Sequence, residues 1–215
     1  MSTFAAGEVE CPACQTRFEV QLATSINVTR SPEHGVAIRD GSFHMWRCPA
    51  CGERFEAIGA FVYLDFDERV MIGVHPAGDL HAWREREKEV EAAFAAEIVA
   101  GAGSPLPRLA DGFVVRTVFG LPWLREKLVA LDAGLDDAVV ELVKIRLQLH
   151  GECGGALRLT AVDNLAMTFV DDRPSVHRVG WTTYDALAAR PPGEVLVALT
   201  AGSWRDARRV LTATA

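Results

Sequence analysis

Cys-Pro-Ala-Cys stands twice in this chain, at Cys11–Cys14 and at Cys48–Cys51, inside the near-identical phrases CPACQTRF and CPACGERF. Three chemistries use such pairs: a redox dithiol, a disulfide framework, and two halves of one metal site. A redox dithiol needs its first cysteine at a helix N-terminus, where the thiolate is stabilised. Here Phe18, Val20 and Leu22 alternate with Glu19 and Gln21 after the first pair, which is the period of a strand. The second pair runs into GERFEAIGAFVYL, rich in aromatic and β-branched residues. A disulfide framework fits poorly with five cysteines, the fifth being the distant Cys153. The metal reading accommodates all the features. Two intervening residues let both thiolates of a pair reach one ion from a tight turn, and two such turns complete a tetrahedral Zn²⁺ site. The expected ligands are Cys11, Cys14, Cys48 and Cys51, binding a structural Zn²⁺. Gly52 lets the second turn curl back, and Gln15 holds the corresponding place in the first.

The elements around the pairs must bring the two turns together. FEVQLATSINV, GSFHMWRC, RFEAIGAFVYL and RVMIGVH read as strands, with DFDER at Asp65–Arg69 as a hairpin connection. The insertion Thr29–Gly41 is broken by Ser31-Pro32 and Gly35, and its sequence fits either a loop or a short helix. Trp46, next to Cys48, reads as an apolar cover for the site. His44, His75 and His81 are spare ligands that four cysteines make unnecessary.

Beyond the pairs, the stretches TSINVTRSPE, YLDFDERVMIGVHP and REKLVALDAGLDDAVVELVK resemble the bacterial CpXC-domain proteins, over about residues 8–150. The resemblance implies a zinc-ribbon-like module and no settled activity. Gln15 departs from the glycine common in that family.

Asp79 can cap a helix running to Ala100, with Gly101 as its stop, and Gly101–Gly112 reads as a linker. Trp83, Val90, Phe94 and Ile98 form its apolar stripe. FVVRTVFG reads as a buried strand, and Pro122 opens a helix that Gly134 ends. Asp136 or Asp137 starts a second helix, apolar on most sides. The C-terminal part reads as two strands joined at Asp163-Asn164, a helix capped by Thr182 or Thr183, a strand EVLVALT, and a last helix capped by Ser203. The fold class is therefore α+β. It divides into a zinc-ribbon-like antiparallel β module at 1–78, a connecting helix and linker at 79–112, and an α+β region at 113–215.

Asp136, Asp137 and Glu141 could form an acidic cluster, but carboxylates at a helix start follow from the helix dipole alone. His150 and Cys153 have ligand-like spacing in LHGECGG without further ligands nearby. A role for any of these five stays open at this level. There is no G-x-S-x-G, P-loop or Rossmann fingerprint, and no catalytic residue is assigned. The net charge is −7, and residues 1–75 carry six arginines against ten carboxylates, so nucleic acid is not the expected partner. The first residues lack a signal peptide's basic and apolar regions, and no apolar run is long enough to span a bilayer, so a cytoplasmic location is expected. The reading is a zinc-stabilised protein-binding or scaffolding module. Its alternatives are an enzyme with a site between the two halves, and a nucleic-acid-associated ribbon.

Overall fold

Alternating burial along Arg17–Asn27 makes an 11-residue strand, β2, which folds back antiparallel on β1 (Thr3–Glu10). The first cysteine turn is the tip of this hairpin. In the computed structural model, residues 1–100, 110–151 and 153–211 are described, and the chain divides into two compact units, Met1–Leu121 and Pro122–Ala215.

In the first unit the insertion between the cysteine pairs is a helix, α1 (Pro32–Asp40), stopped by Gly41 at φ 81°. The second cysteine turn joins β3 (Met45–Arg47) to β4 (Arg54–Glu56), a short antiparallel pair. Strands β5 (Phe61–Asp65) and β6 (Val70–His75) form the expected hairpin, its turn held by Asp65 Oδ1, which accepts the Asp67 and Glu68 N–H groups. With β7 (Val114–Phe119) the sheet runs β1-β2-β5-β6-β7. It is mixed: β2–β5 and β6–β7 are parallel. β6 is buried along its whole length, which explains its continuous apolar character. Helix α2 (Trp83–Phe94) lies on the sheet and places Val90 against Gly73 so closely that a Cβ there would come within 2.1 Å of Val90 Cγ2.

The second unit contains α3 (Leu121–Asp132, its first residue in the preceding unit), α4 (Asp137–Leu149), the antiparallel meander β8 (Arg158–Val162), β9 (Ala166–Val170), β10 (Val176–Gly180), and helices α5 (Trp181–Ala189), α6 (Gly193–Thr200) and α7 (Ala207–Leu211). α4 is buried on nearly every side. Val140, Val143 and Leu147 pack with Leu159, Met167 and Phe169, while Leu142 and Ile145 pack with Leu199 and Ala207.

The α+β class stands, with several elements differing from expectation. EVLVALT is helical: Pro192 precedes it with fixed φ, and Leu199 packs with Leu142 and Ile145. Asp79 does not cap α2; it sits in a 3₁₀ turn at Ala77–Ala82 and its carboxylate pairs with Arg86 at 3.0 Å. Neither Thr182 nor Thr183 caps α5, whose N-cap is Gly180. The last helix starts at Ala207 rather than near Ser203, and Asp206 Oδ1 accepts the Arg208 N–H at 2.9 Å. FVVRTVFG joins the first sheet through β6, within the compact unit that ends at Leu121. Gly101 and most of the expected linker lie outside the described residues.

Buried charges tie the second unit together. Lys144 Nζ lies 2.8 Å from both Glu126 and Glu141, and Lys127 Nζ lies 2.8 Å from Glu141. Glu126 also accepts the Leu159 N–H at 2.7 Å, Glu141 accepts that of Ala207 at 2.8 Å, and Lys127 donates to the Arg205 carbonyl at 2.7 Å. Burial alone would lower both lysines, but the surrounding carboxylates outweigh it and both are raised; burial pushes Glu126 up against the pull of the lysines. Glu141 is the shared partner. Glu141→Ala leaves two lysines short of a counter-charge in the interior, and is expected to lower the unfolding free energy by about 3–5 kcal/mol in urea titration. A loss under about 1 kcal/mol would show that water reaches the network.

Candidate metal centre

The two cysteine turns have the same backbone hydrogen bonds at the same offsets. Cys11 N–H donates to Thr16 at 3.0 Å and Gln15 N–H to Cys11 at 2.9 Å; Cys48 N–H donates to Glu53 at 2.8 Å and Gly52 N–H to Cys48 at 3.0 Å. In each pair the first cysteine is buried and the second exposed. Each turn requires a left-handed residue after its second cysteine: Gly52 at φ 78°, and Gln15 at φ 60°.

The hairpins bring the tips together. Cys11 Sγ lies 3.7 Å from Cys51 Sγ, Cys14 Sγ lies 3.5 Å from Cys48 Sγ, and all four sulfurs fall within 4.8 Å of one another. Zn–S bonds of about 2.3 Å put the corners of a tetrahedron about 3.8 Å apart. The four sulfurs therefore fit one tetrahedrally coordinated ion. Cys11, Cys14, Cys48 and Cys51 are free thiols.

The electrostatics of the cluster follow from its crowding. Thr16 holds the Cys14 thiol down at about 6, through its side chain and its backbone, helped by Cys51 and Cys48. At Cys51 a backbone hydrogen bond from Glu53 favours the thiolate, but Cys14, desolvation, Cys11 and Cys48 outweigh it and push the thiol up to about 12. One thiolate is stabilised by its neighbours' protons and a second is opposed by the first. A bound cation removes that opposition.

Phe18 and Phe55 occupy the same offset in the two copies and meet edge to face at 6.1 Å, interplanar angle 85°. Sequence reasoning missed this pair and Thr16, although the shared offset of the two phenylalanines was a readable signal. Trp46 contacts His44 at 5.1 Å and donates its indole N–H to Ala57 at 2.8 Å. Burial lowers His44 to about 4, with His34 adding to the effect, and its Nε2 accepts the Ala23 N–H. His81 Nδ1 bonds Gly78, and His75 lies at the end of β6. The four cysteines are the one group of potential metal ligands brought together among the described residues, and no histidine joins it. Asp136 caps α4 by accepting the Ala138 N–H at 2.9 Å, Asp137 pairs with Arg205, and Glu141 lies in the buried network. His150 is the C-cap of α4, and Cys153 packs against the core of the second unit.

The sequence model of the CpXC protein family matches residues 9–144. An uncharacterized protein of Treponema pallidum (strain Nichols) is 28% identical over 136 residues, which is 61% of this chain and 58% of that protein. The chain thus spans little more than half the length of that relative. No solved structure matches it.

The unequal turns give a test. A left-handed backbone costs a residue with a Cβ roughly 1–2 kcal/mol, partly offset because glycine loses more entropy on folding. Gln15→Gly is expected to raise stability by about 0.5 kcal/mol, and Gly52→Gln to lower it by about 1 kcal/mol, in urea unfolding followed by circular dichroism. Equal effects of one sign from both would contradict the shared turn geometry.

Proposed function

The chain belongs to the CpXC protein family, and from that premise we propose that Cys11, Cys14, Cys48 and Cys51 bind one structural Zn²⁺ that clamps a protein-binding or scaffolding module. The observation that carries this reading is the approach of four sulfurs to within 4.8 Å. Zn²⁺ supplies charge neutralisation and four directional bonds there, and four thiolates leave no open position for a substrate water. The residues divide the work. Cys11 and Cys48 anchor the ion from the interior, Cys14 and Cys51 close it from outside, and Phe18 and Phe55 hold the hairpins in register. A reducing compartment such as the cytoplasm keeps these thiols available as ligands.

Protein is the partner the composition favours. Residues 1–75 carry a balance of −4, and their arginines are interspersed with acids. Catalysis by the acidic residues at the start of α4 has less support, because Asp136 caps the helix and both oxygens of Glu141 are already ion-paired.

Purified protein is expected to hold one zinc per chain by elemental analysis, and Cys48→Ser to lose most of it; a folded, metal-free protein would overturn the proposal. Retention should fall as pH falls, because protons and metal compete for the same sulfurs. Chelation should remove hydrogen-exchange protection from β1–β4 more than from residues 122–211, since the second unit has its own apolar and ionic contacts. Equal loss in both would count against a locally acting clamp. Labelled single- and double-stranded nucleic acid should show no submicromolar binding at physiological salt; tight binding with a steep salt slope would favour the nucleic-acid ribbon instead.

A further inference from the structure

Between α2 and the sheet of the first unit lies a solvent-open pocket of about 200 Å³. Its origin is legible in the side chains. Val62 and Gly73 are register partners on β5 and β6, and Val90 of α2 rests on Gly73. Three residues further along the helix Ala93, and on the sheet side Ala60, line the space with one methyl group each.

His75 lines the same cavity, two residues beyond Gly73 on the same strand. It is 6% exposed, and neither ring nitrogen has a hydrogen-bond partner among the described residues. Burial, with Arg86 nearby, lowers its pKa and keeps the imidazole neutral, with one donor and one acceptor. A buried polar group without a partner costs roughly 1–3 kcal/mol. The other polar side chains of the lining are engaged: Thr24 bonds Thr3, and Glu89 pairs with Arg86. Ordered water needs two to four polar partners, and this wall is mostly apolar.

An open, mostly apolar pocket and an unpaired imidazole meet at one place, and one occupant answers both. We propose that this cavity binds a small, uncharged, mostly apolar molecule carrying one hydroxyl or similar group that hydrogen-bonds to His75. Size supports a single substituted ring, since a cavity of about 150 Å³ accommodates benzene. Charge supports neutrality: Glu89 at the lining opposes an anion, and nothing in the wall is left to pair with a cation.

Phenol and benzene are the probes, titrated into the full-length, metal-loaded protein while the His75 imidazole nitrogens are followed by NMR. Phenol is expected to shift them saturably with Kd of about 1 mM or tighter. Benzene should bind about 5- to 10-fold more weakly, and His75→Leu should abolish that preference. Ala93→Phe fills the cavity from the helix and should eliminate binding of both. Ala60→Leu fills it from the sheet side and serves if the first variant does not fold. No saturable shift up to about 10 mM phenol, or undiminished binding in a folded filled variant, would overturn the proposal and leave the cavity a packing defect or a water site.

Discussion

Four sulfurs within 4.8 Å of one another cannot all be thiolates without a cation among them. The Cys51 thiol pushed up to about 12 beside a Cys14 thiol held at about 6 is that constraint in local form. Much of the first unit depends on how it is met. The β3–β4 pair is three residues on each side, below what a two-stranded ladder sustains alone. Arg47 and Arg54 are direct partners in it, which sets like charges opposite each other at the base of the turn. Four thiolates and one dication carry a net charge of −2, so the same two arginines become favourable neighbours once the cluster is ionised. The Phe18–Phe55 contact therefore supplements a short ladder in the second hairpin, and a metal at its tip would add to that hold.

The duplicated phrase is a duplicated structure. Equal offsets give equal hydrogen bonds, equal burial of the first cysteine, and one aromatic residue each for the contact between copies. The copies diverge where their surroundings do. Arg17 pairs with Glu10 across β1–β2, in a long hairpin that is part of the main sheet, whereas its counterpart Arg54 faces Arg47 in a separate two-stranded sheet. The hairpin with more ladder carries the strained Gln15, and the weaker one carries Gly52. Strain is tolerated where the surrounding strands impose the turn.

The cysteine turns and most strands of the first unit were legible because their signals are local: fixed spacing, period-two alternation, turn residues. β1 was not, since TFAAGEVE has one buried side chain and is a strand by virtue of its pairing with β2. EVLVALT misled because an apolar, β-branched run reads as a strand until its packing is known; here Leu199 meets α4 and the backbone is helical. Glu141 and Lys144 stand three residues apart on one face of α4, which is all that their spacing says. Their partners Glu126 and Lys127 lie on another helix, and the segment that covers them, Arg205–Ala207, is more than 60 residues away in sequence. Spacing carries no information about such a contact.

The two units thus solve the problem of buried polar groups in different ways. In the second, each charge at the centre of α3 and α4 meets an opposite charge or a backbone group, and the network closes on itself. Such a network fixes how helices and tail segment fit together, and it leaves little unsaturated chemistry at its centre. In the first, the sulfur cluster needs a cation to be fully ionised, and His75 holds two unpaired nitrogens beside an open pocket. Groups that the fold positions without satisfying are where ligands gain most, because the cost of orienting and desolvating them has already been met on folding. Both lie in the stretch that the family shares, residues 9–144, as does most of the α3–α4 network. The sulfur cluster and His75 both belong to the first unit, and the shared part of the second unit contributes most of a buried ionic network.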